Sequence, residues 1–396
     1  MSAATILATG CFHSAAPSGG ALLAALRAGK RQGALLIDAG DFFGGNAFHE
    51  YTQGRVEERL LADLYDVVVP GNHDLADLLR LEDPQAFPPV ACLNLAPPPA
   101  FTGQWVPGLV LDGRGRRVGV LGIMGSQAFH AVPPAERAGF QFSEPTPALL
   151  TAERDRLLAA GADTVLAVSH SGFLADVDLH LGGAPLEIIV AGHCHSEHTH
   201  WASPPRHVVK APELGAGLLR IELDDATGPS FTIQYTQGTD GRTPWQPDYL
   251  TDAITGYQEW GSESLGTLTA AIADRQQLAE TLAARARAAV DADAFVLNLG
   301  ALRAGLPSQV DRLALTAAAP FDTPLVQLHG DHRLSQVLDR ATTLGETPVA
   351  ASHLIGDLGT IATTRYLAER LDLPFTLADP EQTLRSTLTD LLQECP

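Results

Sequence analysis

The residues that could do chemistry recur at the ends of apolar runs. Gly192-His193-Cys194-His195 follows the run Ile188 to Ala191. In an extended strand residues i and i+2 point the same way, so His193 and His195 are expected to project together. Imidazole suits Zn, Fe, Ni and Cu, and two imidazoles make part of a metal site. Other runs end in the same kind of residue. Cys11 and His13 follow the first, Asp41 the second, Asn72, His73 and Asp74 the third, and His170 another. Seven candidate ligands, Cys11, His13, Asp41, Asn72, His170, His193 and His195, thus come from five strand ends. They suffice for two metal ions sharing one ligand, and Asp41 is the carboxylate placed to be shared. Two metals close together can clamp the attacking and leaving oxygens of an in-line displacement.

The elements that must position these residues read as an α/β pattern. Apolar strands are expected at 5–9, 34–39, 66–70, 163–168 and 187–191, with further β-like runs at 89–94, 105–111 and 117–123. Helices are expected at 18–29, 53–65 and 147–160. Runs without alternation imply strands covered on both faces. In open α/β sheets, ligands bind outside the carboxyl ends of the strands. Runs 206–211, 216–223 and 230–235 read as antiparallel strands closing the domain. Composition shifts to Gly, Thr, Asp, Pro and Trp around 224–262, which places a boundary between domains 1–245 and 246–396. The second part should hold a helix at 272–290, buried runs at 294–298 and 323–328, and helices at 333–341 and 358–371.

The chain has 396 residues, 45% hydrophobic and 18% charged, as a water-soluble globular protein does. Its apolar runs are far shorter than the roughly 18–20 residues of a membrane span, so no membrane partner is expected. The start, Met1-Ser2-Ala3-Ala4, lacks a signal-peptide pattern, and a cytoplasmic location is expected. A net charge of −20 argues against nucleic acid as a partner. It also requires a local positive centre to draw in any anionic substrate. The four cysteines, Cys11, Cys92, Cys194 and Cys395, have no paired spacing, so packing or ligation is expected rather than disulfides. Cys194 should pack, and His198 and His200 should mark an exposed strand end.

Taken together, Gly10-Cys-Phe-His13, Gly40-Asp41, Gly71-Asn-His-Asp74, Ser169-His170 and Gly192-His-Cys-His195 resemble the ordered motifs of calcineurin-like metallophosphoesterases. Phe12-His13-Ser14, Gly40-Asp41-Phe42-Phe43-Gly44, Asn298-Leu-Gly-Ala-Leu-Arg303 and Pro320-Phe321 are similar to the two-domain 5′-nucleotidase branch. The resemblance implies a four-layer β-sandwich flanked by helices, plus a smaller, shortened α/β C-terminal domain. It implies hydrolysis of a small phosphate monoester at a dinuclear centre of divalent transition metals (Zn, Fe or Mn), with a metal-bridging hydroxide as nucleophile. One metal would be held by Cys11, His13, Asp41 and His195, the other by Asp41, Asn72, His170 and His193. Asn72 would also meet substrate. His73 would be the general acid, oriented by Asp74, with Asp77 a second candidate acid. Asn298 and Arg303 would bind substrate. Rival readings keep the centre for a phosphodiester or a sulfur ester, or make it a non-catalytic metal-binding regulator.

Two departures stand out. The family opens on Asp-x-His, and Cys11 takes the Asp place. A thiolate keeps the charge and favours Zn or Fe over harder ions. In addition, the aromatic clamp that holds the base in the nucleotidase branch has no recognisable counterpart. Since stacking contributes about 1–3 kcal/mol per base, weak base preference is expected.

Overall fold

The computed structural model describes residues 4–224, 226–236, 245–354, 356–379 and 381–393. Cys395 and the Gly-rich stretch 237–244 lie outside the described residues. The chain divides into two compact units, Met1–Ile254 and Thr255–Pro396, the division falling inside the helix Asp248–Gly261.

The first unit has two main sheets. From edge to edge, one runs Gly228–Tyr235, Gly217–Asp224, Ala4–Thr9, Leu35–Asp38, Val67–Val68, Val90–Ala91 and Trp105–Val106. The other runs His200–Ser203, Arg206–Lys210, Ile188–Ala191, Thr164–His170, Arg116–Met124 and Gly108–Gly113. Their facing sides share one apolar core, including Ile6, Ile37 and Val67 from the first sheet and Val120, Val168 and Val190 from the second. On the outer face of the second sheet, Leu150 and Leu157 of helix Pro147–Ala159 and Phe173 and Val177 of helix Phe173–Leu181 pack with Leu121, Ala167 and Ile189. On the first, helix Gly20–Arg31 buries Leu22, Leu23 and Leu26. Gly29 lets that helix approach, since a β-carbon there would lie 2.2 Å from Leu7 Cδ1. The result is four layers, helix, sheet, sheet, helix. Strands covered on both sides explain the unbroken apolar runs.

The strands that carry the candidate residues run parallel. Ala4–Thr9 pairs with Leu35–Asp38, which pairs with Val67–Val68. Thr164–His170 pairs in parallel with Ile188–Ala191. Their carboxyl ends therefore open on one rim of the unit.

The helix expected at 53–65 is found at Arg55–Leu64. A short helix, Ala47–Thr52, precedes it, and Gln53 and Gly54, at φ +53° and +79°, separate the two. Two local expectations are corrected. The strand Arg206–Lys210 runs parallel to Ile188–Ala191 and antiparallel only to its hairpin partner His200–Ser203. The helix expected at 358–371 is a strand, Ile361–Thr364, followed by the short helix Arg365–Arg370. The β-branched Ile361, Thr363 and Thr364 are buried in the centre of a sheet, where such residues pack well.

The second unit has a five-stranded mixed sheet in the order Pro348–Ser352, Ala294–Asn298, Ile361–Thr364, Leu325–Leu328, Phe375–Leu377. Helices Arg275–Ala289 and Leu384–Gln393 cover one face through Leu278, Leu282, Leu384 and Leu388. Val337, Ala341, Leu367 and Leu371 cover the other. The strand Pro348–Ser352 was not anticipated from the sequence.

Candidate metal centre

The loops on the rim are tied to one another by main-chain hydrogen bonds. Cys11 N–H donates to Gly40 O at 2.8 Å, His13 N–H to Asp41 O at 2.9 Å, and Gly192 N–H to Ser169 O at 2.7 Å. This lacing forces unusual backbone. Cys11, His13, Ser14, Asp41 and His193 all lie at positive φ, between 49° and 73°. For residues with a β-carbon this region costs about 1–2 kcal/mol each. Such concentrated strain is expected where a site over-determines its geometry. Gly40, itself at φ +91°, is required by a close approach, because a β-carbon would stand 2.6 Å from His170 Nδ1 and 2.7 Å from Gly71 N.

His193 and His195 do not follow the strand alternation expected of them. The strand ends at Ala191, and His193 sits at φ +73°. The two imidazoles nevertheless reach different neighbours. His193 Nδ1 is 2.9 Å from Asn72 Oδ1, while His195 Nε2 is 3.2 Å from His13 Nε2. His170 Nε2 lies 3.2 Å from Asn72 Oδ1 and 3.1 Å from Asp41 Oδ2. Its Nδ1 donates to the Ala39 carbonyl at 2.7 Å, which fixes ring and tautomer and leaves Nε2 for the cleft. His13 Nε2 is 3.7 Å from Asp41 Oδ2. Three sets of groups each bring their ligand atoms within 4.8 Å of one another: Cys11, His13 and His195; Cys11, Asp41 and His170; and His13, Asp41 and His73. All seven sequence-predicted ligands thus converge.

The donor set fits divalent cations. Burial, reinforced by the neighbouring His73, His195 and His170, lowers the His13 pKa to about 3 despite the attraction of Asp41. Burial and His170 lower His193 to about 4. Both rings are therefore neutral at ordinary pH and can offer lone pairs. His13 Nδ1 is buried with no hydrogen-bond partner among the described residues. Burial works against ionising Asp41, but His170, His73 and His13 outweigh it and hold its carboxyl well below the usual range. His170 behaves oppositely: burial disfavours its charge, yet Asp41 and the Ala39 carbonyl raise it to about 9. Burial and Asp41 push the Cys11 thiol well up. Lone pairs, one carboxylate and a thiol face each other with little to neutralise them but protons, which is what a cation site requires.

His73 is half-buried beside these groups, its ring centroid 4.9 Å from that of His13, and its N–H donates to Asp41 Oδ1 at 2.9 Å. Asp74 is itself buried. Its buried carboxylate accepts from the N–H groups of Asp41 at 2.8 Å, Gly71 at 2.7 Å and Phe43 at 3.0 Å. It pins the Asp41 loop to the Asn72 loop. The second candidate acid, Asp77, has both carboxylate oxygens 3.0 Å from His49 Nε2. Cys194, as expected, packs, its Sγ taking the Phe173 N–H at 3.1 Å.

Supporting residues that the motifs did not single out lie underneath. Asp38 accepts from Thr9 Oγ1 at 2.5 Å and from Gly40 N–H at 2.9 Å, and burial raises its pKa to about 7. Asp176, raised to about 8 by burial, accepts from Ser169 Oγ at 2.6 Å. Their signal in the sequence was faint: Asp38 ends an apolar run, three residues before the more conspicuous Asp41.

In the second unit, Asn298 is 7% exposed and turned inward. Its Oδ1 accepts from Gly300 N–H at 3.1 Å and Thr347 N–H at 3.3 Å, and its Nδ2 donates to Glu346. Both ends of the amide thus help to hold its own loop. Arg303 is exposed, lies 5.3 Å over the Phe321 ring and donates to Gly300 O at 2.9 Å.

Residues 4–197 match the calcineurin-like phosphoesterase family. The first unit carries a calcineurin-like phosphoesterase domain over those residues. The family uses divalent metals, in keeping with the donor groups on its rim. Over 186 residues the chain is 27% identical to a snake venom 5′-nucleotidase of Naja atra, a match covering 45% of this chain and 34% of that protein. The chain thus spans about a third of the length of that curated relative. Among solved structures, a 5′-nucleotidase precursor from Thermus thermophilus matches with TM-score 0.78 at 16% identity, over 99% of this chain and 96% of that one. The phosphoesterase domain and the second unit together therefore have the two-domain 5′-nucleotidase fold. A sulfate thiohydrolase from the same organism matches with TM-score 0.71 at 16% identity, over 94% and 80%. The family match indicates a hydrolase. No helix among the described residues is long and apolar enough to cross a membrane.

Proposed function

We propose that this chain hydrolyses small phosphate monoesters, nucleoside 5′-monophosphates being the first class to test, at a centre of two divalent metal ions. The observation that supports this most is the convergence of Asp41 with His13, His170 and His73, on backbone bent into the left-handed region at both His13 and Asp41. His13, Asp41 and His195 would hold one ion, with Cys11 beside them; Asp41, Asn72, His170 and His193 would hold the other. Cations in that position supply Lewis acidity toward a phosphoryl group and a local positive charge in a chain of net charge −20.

The chain's own residues do the rest. His73 is half-buried, so its imidazole can reach a bound ester. It gives a proton to the leaving oxygen as the P–O bond breaks. Its main chain is fixed by Asp41 Oδ1, so the ring enters the cleft from a held position. Asp74 is a positioning residue that keeps the Asp41 and Asn72 loops at their spacing. Arg303 is the candidate in the second unit for meeting an anionic substrate. Asn298 is a candidate beside it, and its amide also holds the Gly300 and Thr347 N–H groups.

The test loads the protein with Zn, Fe(II), Mn or Mg. It then compares p-nitrophenyl phosphate, its bis ester and a panel of nucleoside monophosphates. Monoester turnover that falls roughly 10²–10⁴-fold in His73→Ala is expected, the range general acid–base groups contribute. Turnover of the bis ester alone, or none with metals bound, would defeat the proposal. Arg303→Ala should raise KM for charged substrates and leave kcat nearly unchanged.

A further inference from the structure

Cys11 lies among the metal-ligating side chains of the rim. Of the described cysteines, Cys11, Cys92 and Cys194, it alone falls in a group of metal-ligating atoms, and it falls in two. Its sulfur lies within 4.8 Å of ligand atoms of His13 and His195 on one side and of Asp41 and His170 on the other. The residue is 1% exposed and held at φ +51°. Its main chain is clamped at both ends, the N–H donating to Gly40 O at 2.8 Å and the carbonyl accepting from Leu214 N–H at 2.9 Å. The sulfur also accepts the His193 N–H at 3.2 Å. It is thus oriented by the same loop that delivers His193 and His195.

The geometry points to Cys11 as a thiolate ligand of the metal centre, which makes the site select borderline and soft cations over hard ones. This rests on the reading of the rim as a metal centre. On binding, the Sγ–H bond breaks, the sulfur lone pair forms the bond to the cation and the proton leaves to the buffer, so charge and atoms balance. Thiolate favours Zn(II) and Fe(II), whereas carboxylate, carbonyl and water suit Mg(II) and Mn(II). With imidazole nitrogens around one sulfur, the donor set is softer than an all-oxygen and nitrogen rim.

Three observables test this without activity. In the Zn-loaded protein, X-ray absorption should show a sulfur neighbour at about 2.3 Å from zinc. In the Co(II)-loaded protein, a thiolate-to-cobalt charge-transfer band should appear in the near ultraviolet. Both should vanish in Cys11→Ser and Cys11→Asp and persist in Cys194→Ser. In competition, Cys11→Asp should shift preference from Zn toward Mn by at least the roughly tenfold that loss of a mere outer partner costs. Elemental analysis of the same samples separates the two possible failures. Wild-type protein that binds divalent cations with no sulfur signature overturns the assignment of Cys11 and leaves the centre standing. Wild-type protein that binds none overturns both. A band that survives in Cys11→Ser overturns the assignment whatever the fold of that variant. Thermal melting of Cys11→Asp, with charge and near-size retained, guards against a signal lost only by unfolding.

Discussion

The first unit holds two groups of histidines, and they are built on opposite principles. At the rim, His13 and His170 face the buried carboxylate of Asp41 and His193 faces Asn72, with His13 and His193 on left-handed backbone. On the edge of the second sheet, His200 and His207 lie diagonally across a hairpin, Nε2 to Nδ1 3.2 Å, their rings stacked at 5.5 Å. Phe231 lies 4.8 Å from the His207 ring, and His180 stacks on Trp201 while its Nε2 meets the His207 carbonyl at 3.2 Å. No group of metal-ligating residues is found there among the described residues, and all three histidines have ordinary backbone. The second group uses imidazole as a flat ring, the first as a lone pair. Histidine density is a poor guide to a site. A buried carboxylate and a strained main chain are better ones.

The largest effect should come from Asp41→Asn. The amide keeps an oxygen for the His73 N–H, so the loops should hold, but the charge facing His13 and His170 is gone. Bound metal measured by elemental analysis should fall, and kcat/KM should drop by about a thousandfold or more, on the scale of losing a main electrostatic group. Unchanged metal content would remove the distinction drawn between the two groups.

Gly71→Ala comes next and probes the lacing. A β-carbon at Gly71 would stand 2.2 Å from both Asp41 N and Oδ1. The Gly71 N–H is also held by Asp74. Relief would require separating the two loops, at a cost of about 3 kcal/mol in denaturant unfolding, together with weaker metal retention. If stability falls and metal binding does not, the strain belongs to folding alone.

The rim was readable in the sequence because its strands are parallel and buried on both faces. Continuous apolar runs marked them, and each polar residue after a run fell at the same end. The backbone was not readable. The expectation that His193 and His195 share a face rested on extended strand, whereas His193 turns left-handed. That turn is dictated by loops from other strands, which a local pattern does not carry. The loop bonds of Asp74 were equally hidden: beside His73 in sequence, its carboxylate accepts from the N–H groups of Asp41, Gly71 and Phe43 in space. In the second unit the run Ile361–Thr364 gives few residues from which to separate period 2 from period 3.6, and sheet centrality decided for strand. Asn298 carried the motif but not its role, since an amide can serve a substrate or its own loop equally well by type.

That ambiguity sets a smaller prediction. Asn298→Ala should destabilise the protein by about 2 kcal/mol, because it leaves the Gly300 and Thr347 N–H groups and part of Glu346 without their partner. Metal content should be untouched. A pure rise in KM at unchanged stability would return Asn298 to the substrate.

The smallest effect is the one that tests the second histidine group. Burial, and then the nearby His200, lowers the His207 pKa, while Glu187 opposes the shift. Burial also lowers His180, helped by Arg206 and His207. A base whose pKa is depressed on folding binds more protons when unfolded, so stability must fall as pH drops below the ordinary value of 6.5. The rim titrates too, so the comparison has to be made between variants. His207→Gln should flatten part of the acid limb of the stability curve and leave the neutral plateau and the metal content as they were. His200→Ala should do less, since that ring is exposed. Loss of one metal equivalent in either variant would make the stacked pair a ligand set after all, and lone pairs rather than flat rings would then explain both groups.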